Sequence, residues 1–123
     1  MSETTTKAVV YHVTREDALE AIMESGLQPN HDGDRQFPEM ADYCAGKVFF
    51  TDRAGVRFWA KQMSRYDHVT GRPDLDIVVL AFDEPETHRA DEDTTVRTYS
   101  RYTREEIPAD ALRVVPRDEW KGW

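Results

Sequence analysis

Lys7-Ala8-Val9-Val10-Tyr11-His12 runs directly into Val13-Thr14-Arg15-Glu16-Asp17. The first run is β-branched and aromatic, which favours a strand. The second resembles a helix start, with the Thr14 hydroxyl placed to cap an open N–H while Asp17 reaches back. Ala18, Leu19, Ile22 and Met23 then recur at helical spacing, and Gly26 follows as a terminator. A strand over residues 7–12, a capped helix and a stop therefore occupy the first 26 residues.

The pattern on either side is less regular. Residues 1–6 are polar and are expected to fray. Residues 28–46 are rich in Pro, Asn, Asp and Gly, and read as a long loop with a short helical turn near Phe37 to Tyr43. Lys47 to Thr51, K-V-F-F-T, is a second strand, and Asp52 or Thr51 can cap the next helix. Val56, Trp59, Ala60 and Met63 share one face of that helix, which makes Trp59 and Met63 core candidates first. Residues 64–75 read as a polar loop. Asp76 to Phe82, D-I-V-V-L-A-F, is the most apolar strand and is expected at the centre of the sheet. Residues 83–93 are acidic and irregular, Thr94 to Tyr99 alternates weakly, and Leu112 to Val115 is a last short strand beyond Pro108. Helices come early and strands late, so the fold class is α+β with a mixed sheet and two short helices in one domain spanning 1–123.

Composition narrows the function classes. The formal net charge is −8, from 16 Lys and Arg against 24 Asp and Glu. Such a surface repels phosphate and argues against broad nucleic-acid binding, although Arg97, Arg101 and Arg104 leave room for a local basic patch. The single cysteine, Cys44, forms no internal disulfide and has no identifiable base beside it. With no apolar leader and no run of about 20 apolar residues, the expected setting is the cytoplasm, without a membrane. His12, His31, His68 and His88 lack metal-ligand spacing, and no phosphate-binding glycine loop is present.

Three segments in order resemble the ADP-ribosyltransferases of the His-Tyr-acid type, which include poly(ADP-ribose) polymerases, tRNA 2′-phosphotransferases and the small rifampin ADP-ribosyltransferases. Tyr11-His12-Val13-Thr14 looks like the family's first-strand motif, followed by a helix ending at Gly26-Leu27 and then Pro29. Val48-Phe49-Phe50-Thr51 and the following Phe58-Trp59-Ala60 are similar to its second strand and helix. Ile77 to Pro85, Thr98 to Arg101, Leu112-Arg113-Val114-Val115 and Trp120 resemble later features of the rifampin-modifying branch. The resemblance implies a split sheet and a site for NAD, as substrate, at His12, Val13, Thr14, Phe49, Thr51 and Trp59. It implies that His12 hydrogen-bonds a ribose hydroxyl and that Phe49 stacks on the nicotinamide ring. Thr14 supports His12 or simply caps the helix. For the acid that meets the developing sugar cation it points to Asp91, with Asp93, Glu105 and Glu106 as the other candidates.

The chain departs from the family at Phe49, where Tyr is usual; Phe keeps the stacking face and loses the hydroxyl. Three functions follow as expectations. The first is transfer of ADP-ribose from NAD to a small-molecule, protein or nucleic-acid acceptor. The second is a non-catalytic module of the same fold that recognises NAD, ADP-ribose or a protein partner. The third, resting on charge alone, is an acidic inhibitor of a nucleic-acid-binding protein.

Overall fold

The computed structural model describes residues 8–29, 46–70, 77–91 and 99–123. In chain order these form β1 (Val9–Arg15), α1 (Glu16–Ser25), β2 (Val48–Phe50), α2 (Arg53–Thr70), β3 (Ile77–Asp83), β4 (Arg89–Ala90), β5 (Arg101–Thr103), a 3₁₀ turn (Ala109–Ala111), β6 (Arg113–Val115) and α3 (Arg117–Trp120). The class is α+β. The expected turn near Phe37 to Tyr43 and most of the Thr94 to Tyr99 pattern lie outside the described residues, as do Cys44, His31, Asp93 and Arg97.

The strands form two three-stranded sheets, ordered β1-β3-β6 and β2-β5-β4. Every ladder among the described residues is antiparallel, where a mixed sheet was expected. β3 is central in the first sheet, as its apolar run requires: Val79 and Leu80 are fully buried. Burying each such side chain contributes about 1.5–3 kcal/mol. Because side chains alternate along a strand, β1 and β3 feed two cores. Val10, Leu80 and Phe82 pack with Val48, Phe50, Leu27, Ile107 and Leu112, against Leu19 and Ile22 of α1. On the opposite face Val13, Val79 and Ala81 pack with Val56, Ala60 and Met63 of α2 and with Trp120.

The two sheets meet at one bridge. Tyr11 and Thr51 exchange backbone hydrogen bonds, both of 2.8 Å, and no further β1–β2 pairing follows among the described residues. The two sheets part between residues 11 and 12 on β1.

Several local expectations are corrected. β1 does not stop at His12 but runs to Arg15, because Thr14 and Arg15 stay in register with Val78 and Ile77. Thr14 thus does not cap α1; the capping position falls to Arg15, in extended conformation and without a side-chain cap bond. A ladder shared with a central strand outweighs one capping bond of about 1 kcal/mol. Glu16 and Asp17 still lie in the first turn, where the helix dipole favours acids. At the other end Gly26 takes φ 81°, and a Cβ there would overlap the Ile107 carbonyl, with which Leu27 pairs. α2 continues to Thr70 instead of ending near residue 63, because no Pro or Gly interrupts it before Gly71. β4, β5 and α3 are elements that the sequence pattern did not show; among the described residues the helices number three where two were expected, and α2, with 18 residues, is not short. No helix among the described residues is long and apolar enough to cross a membrane.

Candidate functional site

His12 stands where β1 and β2 part. One residue earlier, the two strands are joined through Tyr11 and Thr51; at His12 the imidazole takes over, and Nδ1 lies 2.7 Å from the Phe49 carbonyl oxygen. A carbonyl only accepts, so Nδ1 carries the proton and donates. In the neutral ring this assigns Nε2 as the acceptor nitrogen. A histidine bonded this way is fixed in both tautomer and orientation, and the side chain is half-buried.

Val13 and Thr14 flank His12 without sharing its position. Val13 points to the opposite face of β1, into the core with Val79 and Val56. Thr14 is on the His12 face but almost wholly buried. Neither side chain is offered at the surface.

The second sheet places the other candidates in rows. In β2 and β5, Phe49 faces Tyr102, and in β4 and β5, Arg89 faces Tyr102. Phe49 and Tyr102 pack with ring centroids 5.8 Å apart. Phe50 is turned the other way, into the core, with Phe82 and His88 at its edge. Of the two neighbouring phenylalanines, then, one is core and the other, half-buried Phe49, lies on the opposite face.

Continuing the same register by two residues sets Thr51, Ser100 and Asp91 in the next row on that face. All three are buried. The Ser100 hydroxyl donates to Asp91 Oδ2 at 2.7 Å, and the Asp91 N–H donates to the Ser100 carbonyl at 3.0 Å. A buried carboxylate is costly without such donors. Thr51 Oγ1 is buried with no hydrogen-bond partner. It lies against Gly55 in the first turn of α2, where a Cβ would overlap it. Asp52 caps that helix, as expected: Oδ1 accepts from the Gly55 N–H at 3.1 Å. With about 4.8 Å per strand, Asp91 is about 14 Å from β1 across β2 and β5. His12 and Asp91 do not touch, and only an extended ligand reaches both.

The remaining candidates separate into structural and peripheral positions. Trp59 Nε1 donates to the Tyr99 carbonyl at 2.5 Å, and Phe58 stacks on the Tyr99 ring at 4.6 Å, so this pair anchors the segment leading into Ser100. Met63 is core. Glu105 accepts from the N–H and hydroxyl of Thr87, Glu106 accepts from Gln28 Nε2 at 2.8 Å, and both are exposed. Arg101 pairs with Glu84 at 2.6 Å. Arg104 reaches the Gly46 carbonyl at 3.3 Å. No group of three metal-ligating side chains occurs among the described residues.

Ser100 and Tyr102 are the contributors that sequence reading did not single out. Their signal is alternation: residues 100, 102 and 104 share a face once β5 is known, but a three-residue strand is too short to announce its period.

In comparison with known proteins, no family model matches the chain, and no curated protein matches it.

Proposed function

We propose that the chain binds NAD at the parting of β1 and β2 and transfers its ADP-ribose to an acceptor. The observation that carries this reading is the hydrogen bond from His12 Nδ1 to the Phe49 carbonyl at the point where the sheet splits. It fixes an acceptor nitrogen where the sheet opens, beside the strand that carries Phe49.

The residues present fit such a ligand at two further points. Thr51 Oγ1 is a buried hydroxyl without a hydrogen-bond partner, an arrangement that costs about 1–3 kcal/mol unless another group meets it. Asp91 is a buried carboxylate whose orientation is set by Ser100. When bound, NAD supplies a sugar carbon that becomes cationic as nicotinamide departs. His12 accepts a hydrogen bond from a ribose hydroxyl at Nε2 and so orients the sugar. The Phe49 ring holds the nicotinamide by stacking. Asp91 offers negative charge that is already oriented, so no rearrangement opposes the reaction.

A second reading has its own observation. Phe49 has no hydroxyl with which to polarise the departing group, so the same site also suits a module that binds NAD or ADP-ribose without turning it over.

Thermal unfolding with and without millimolar NAD, with His12→Asn alongside, tests both readings. A ligand at 100 times its Kd adds about 2.7 kcal/mol, a shift of several degrees. A shift in the parent that the variant lacks supports the site, and nicotinamide release then separates the enzyme from the binding module. An unchanged midpoint in the parent overturns both.

A further inference from the structure

On the face of the second sheet that carries Phe49, two cations lie against aromatic rings and a third residue, Arg89, is in register with one of them. Lys47 Nζ is 4.9 Å from the centroid of Tyr102 and 6.0 Å from that of Phe49. The Arg104 guanidinium carbon is 5.6 Å from the same Tyr102 ring. Arg89 faces Tyr102 from β4, and both Arg89 and Arg104 are exposed. Glu105, the acid next to Arg104 in sequence, turns its carboxylate to Thr87. In a chain of net charge −8, these three basic residues share one sheet face, and the acid of the adjoining row, Asp91, is buried and bonded to Ser100.

We infer that Lys47 and Arg104, held against the Tyr102 ring, form a seat for a nucleotide phosphate. The ring positions both cations by attraction to its face, which limits the freedom they lose when an anion arrives. A guanidinium offers a planar fork to phosphate oxygens and an ammonium a compact charge, so the two are complementary for one phosphate group. The spacing also suits a nucleotide. Lys47 is two residues from Phe49 on the same strand face, about 6.8 Å along it, comparable with a ribose that joins a base to its phosphate. The inference deepens the proposed donor site, and rests on that reading for the ring end of the ligand. The occupant is either the diphosphate of the donor or a phosphate of a nucleic-acid acceptor; the chemistry recognised is the same.

The test is titration of the intact chain with inorganic pyrophosphate at low salt, followed by calorimetry or by NMR. The parent is compared with Lys47→Met/Arg104→Gln, which keeps the stems that pack on Tyr102 but removes both charges. Lys121→Ala, an exposed cation just past α3, serves as the control. The expected result is a weakening on the order of tenfold in the double variant and no change in the control. Equal weakening in Lys121→Ala would reduce the effect to net charge and overturn the seat, as would pyrophosphate binding that ignores Lys47 and Arg104 or is absent. Bound pyrophosphate is then challenged with ADP-ribose and with a 5′-phosphorylated tetranucleotide. Displacement by ADP-ribose assigns the seat to the donor, displacement by the tetranucleotide alone assigns it to the acceptor, and displacement by neither overturns it as a nucleotide site. If the tetranucleotide displaces pyrophosphate while NAD and ADP-ribose do not bind, the donor-site reading fails and the phosphate seat stands.

Discussion

The imidazole of His12 and the backbone carbonyl of Phe49 lie 2.7 Å apart across the line where β1 and β2 separate. A side chain here takes the place of the next backbone bond in the ladder. The substitution keeps Phe49 tied to β1 while the two sheets diverge, a structural task to which the proposed function adds a chemical one.

Those tasks are separable. In His12→Ala the Phe49 carbonyl loses its donor, and stability should fall by about 1–3 kcal/mol in urea unfolding. In His12→Asn the side-chain amide nitrogen replaces Nδ1, so most of that stability should return. Any response to NAD should still be absent, because nothing replaces Nε2. Equal stability of the Ala and Asn variants would show that the bond to Phe49 contributes little.

Thr51→Val should raise stability slightly, or leave it unchanged, because it keeps the shape and removes a buried hydroxyl that has no partner. If that hydroxyl meets a ligand, the same variant should lose part of any NAD-dependent shift in midpoint. A loss of more than about 1 kcal/mol in the ligand-free protein would mean that the hydroxyl is satisfied after all.

Gly55→Ala forces a Cβ onto Thr51 Oγ1, with the Thr51 Cβ 3.0 Å away. The expected cost is about 1–3 kcal/mol. Because the obstruction is the Thr51 side chain, Thr51→Ala should relieve most of it, and a double-mutant cycle measures the coupling. Additive losses would place the strain elsewhere. Gly26→Ala should be worse and not rescued so simply, since its φ of 81° and its contact with the Ile107 carbonyl both involve backbone.

Ser100→Ala removes a donor to a buried carboxylate, a bond of the stronger, charge-assisted kind. Denaturant unfolding should show a loss of about 1.5–3 kcal/mol, and Asp91→Asn in that background should recover part of it by removing the charge. An undisturbed Ser100→Ala protein would show that the other contacts of Asp91 suffice.

Phe49→Tyr bears on turnover. If the missing hydroxyl limits the chemistry, the variant should release nicotinamide faster than the parent at similar NAD affinity. If the parent binds NAD and both proteins remain inactive, the non-catalytic reading is preferred.

The sequence by itself determined the elements with strong local patterns. The apolar run at Ile77 to Phe82 had to be a central strand, because only burial on both faces accommodates it. The spacing of Val56, Ala60 and Met63 set the buried face of α2, and Asp52 its cap. His12 was legible as a candidate, and Phe49 with Phe50 as a pair that must face opposite ways. Tertiary structure alone decided the rest. Thr14 looked like a cap, but β3 offered Thr14 and Arg15 partners in a ladder, and the strand absorbed them. β4 and β5, two and three residues long, carry too little periodicity to be seen before their partners are in place. The row of Thr51, Ser100 and Asp91 and the placing of Lys47 and Arg104 against Tyr102 depend on strand register. Register follows from which long-range pairs form, and residues some 50 positions apart carry no local signal of it.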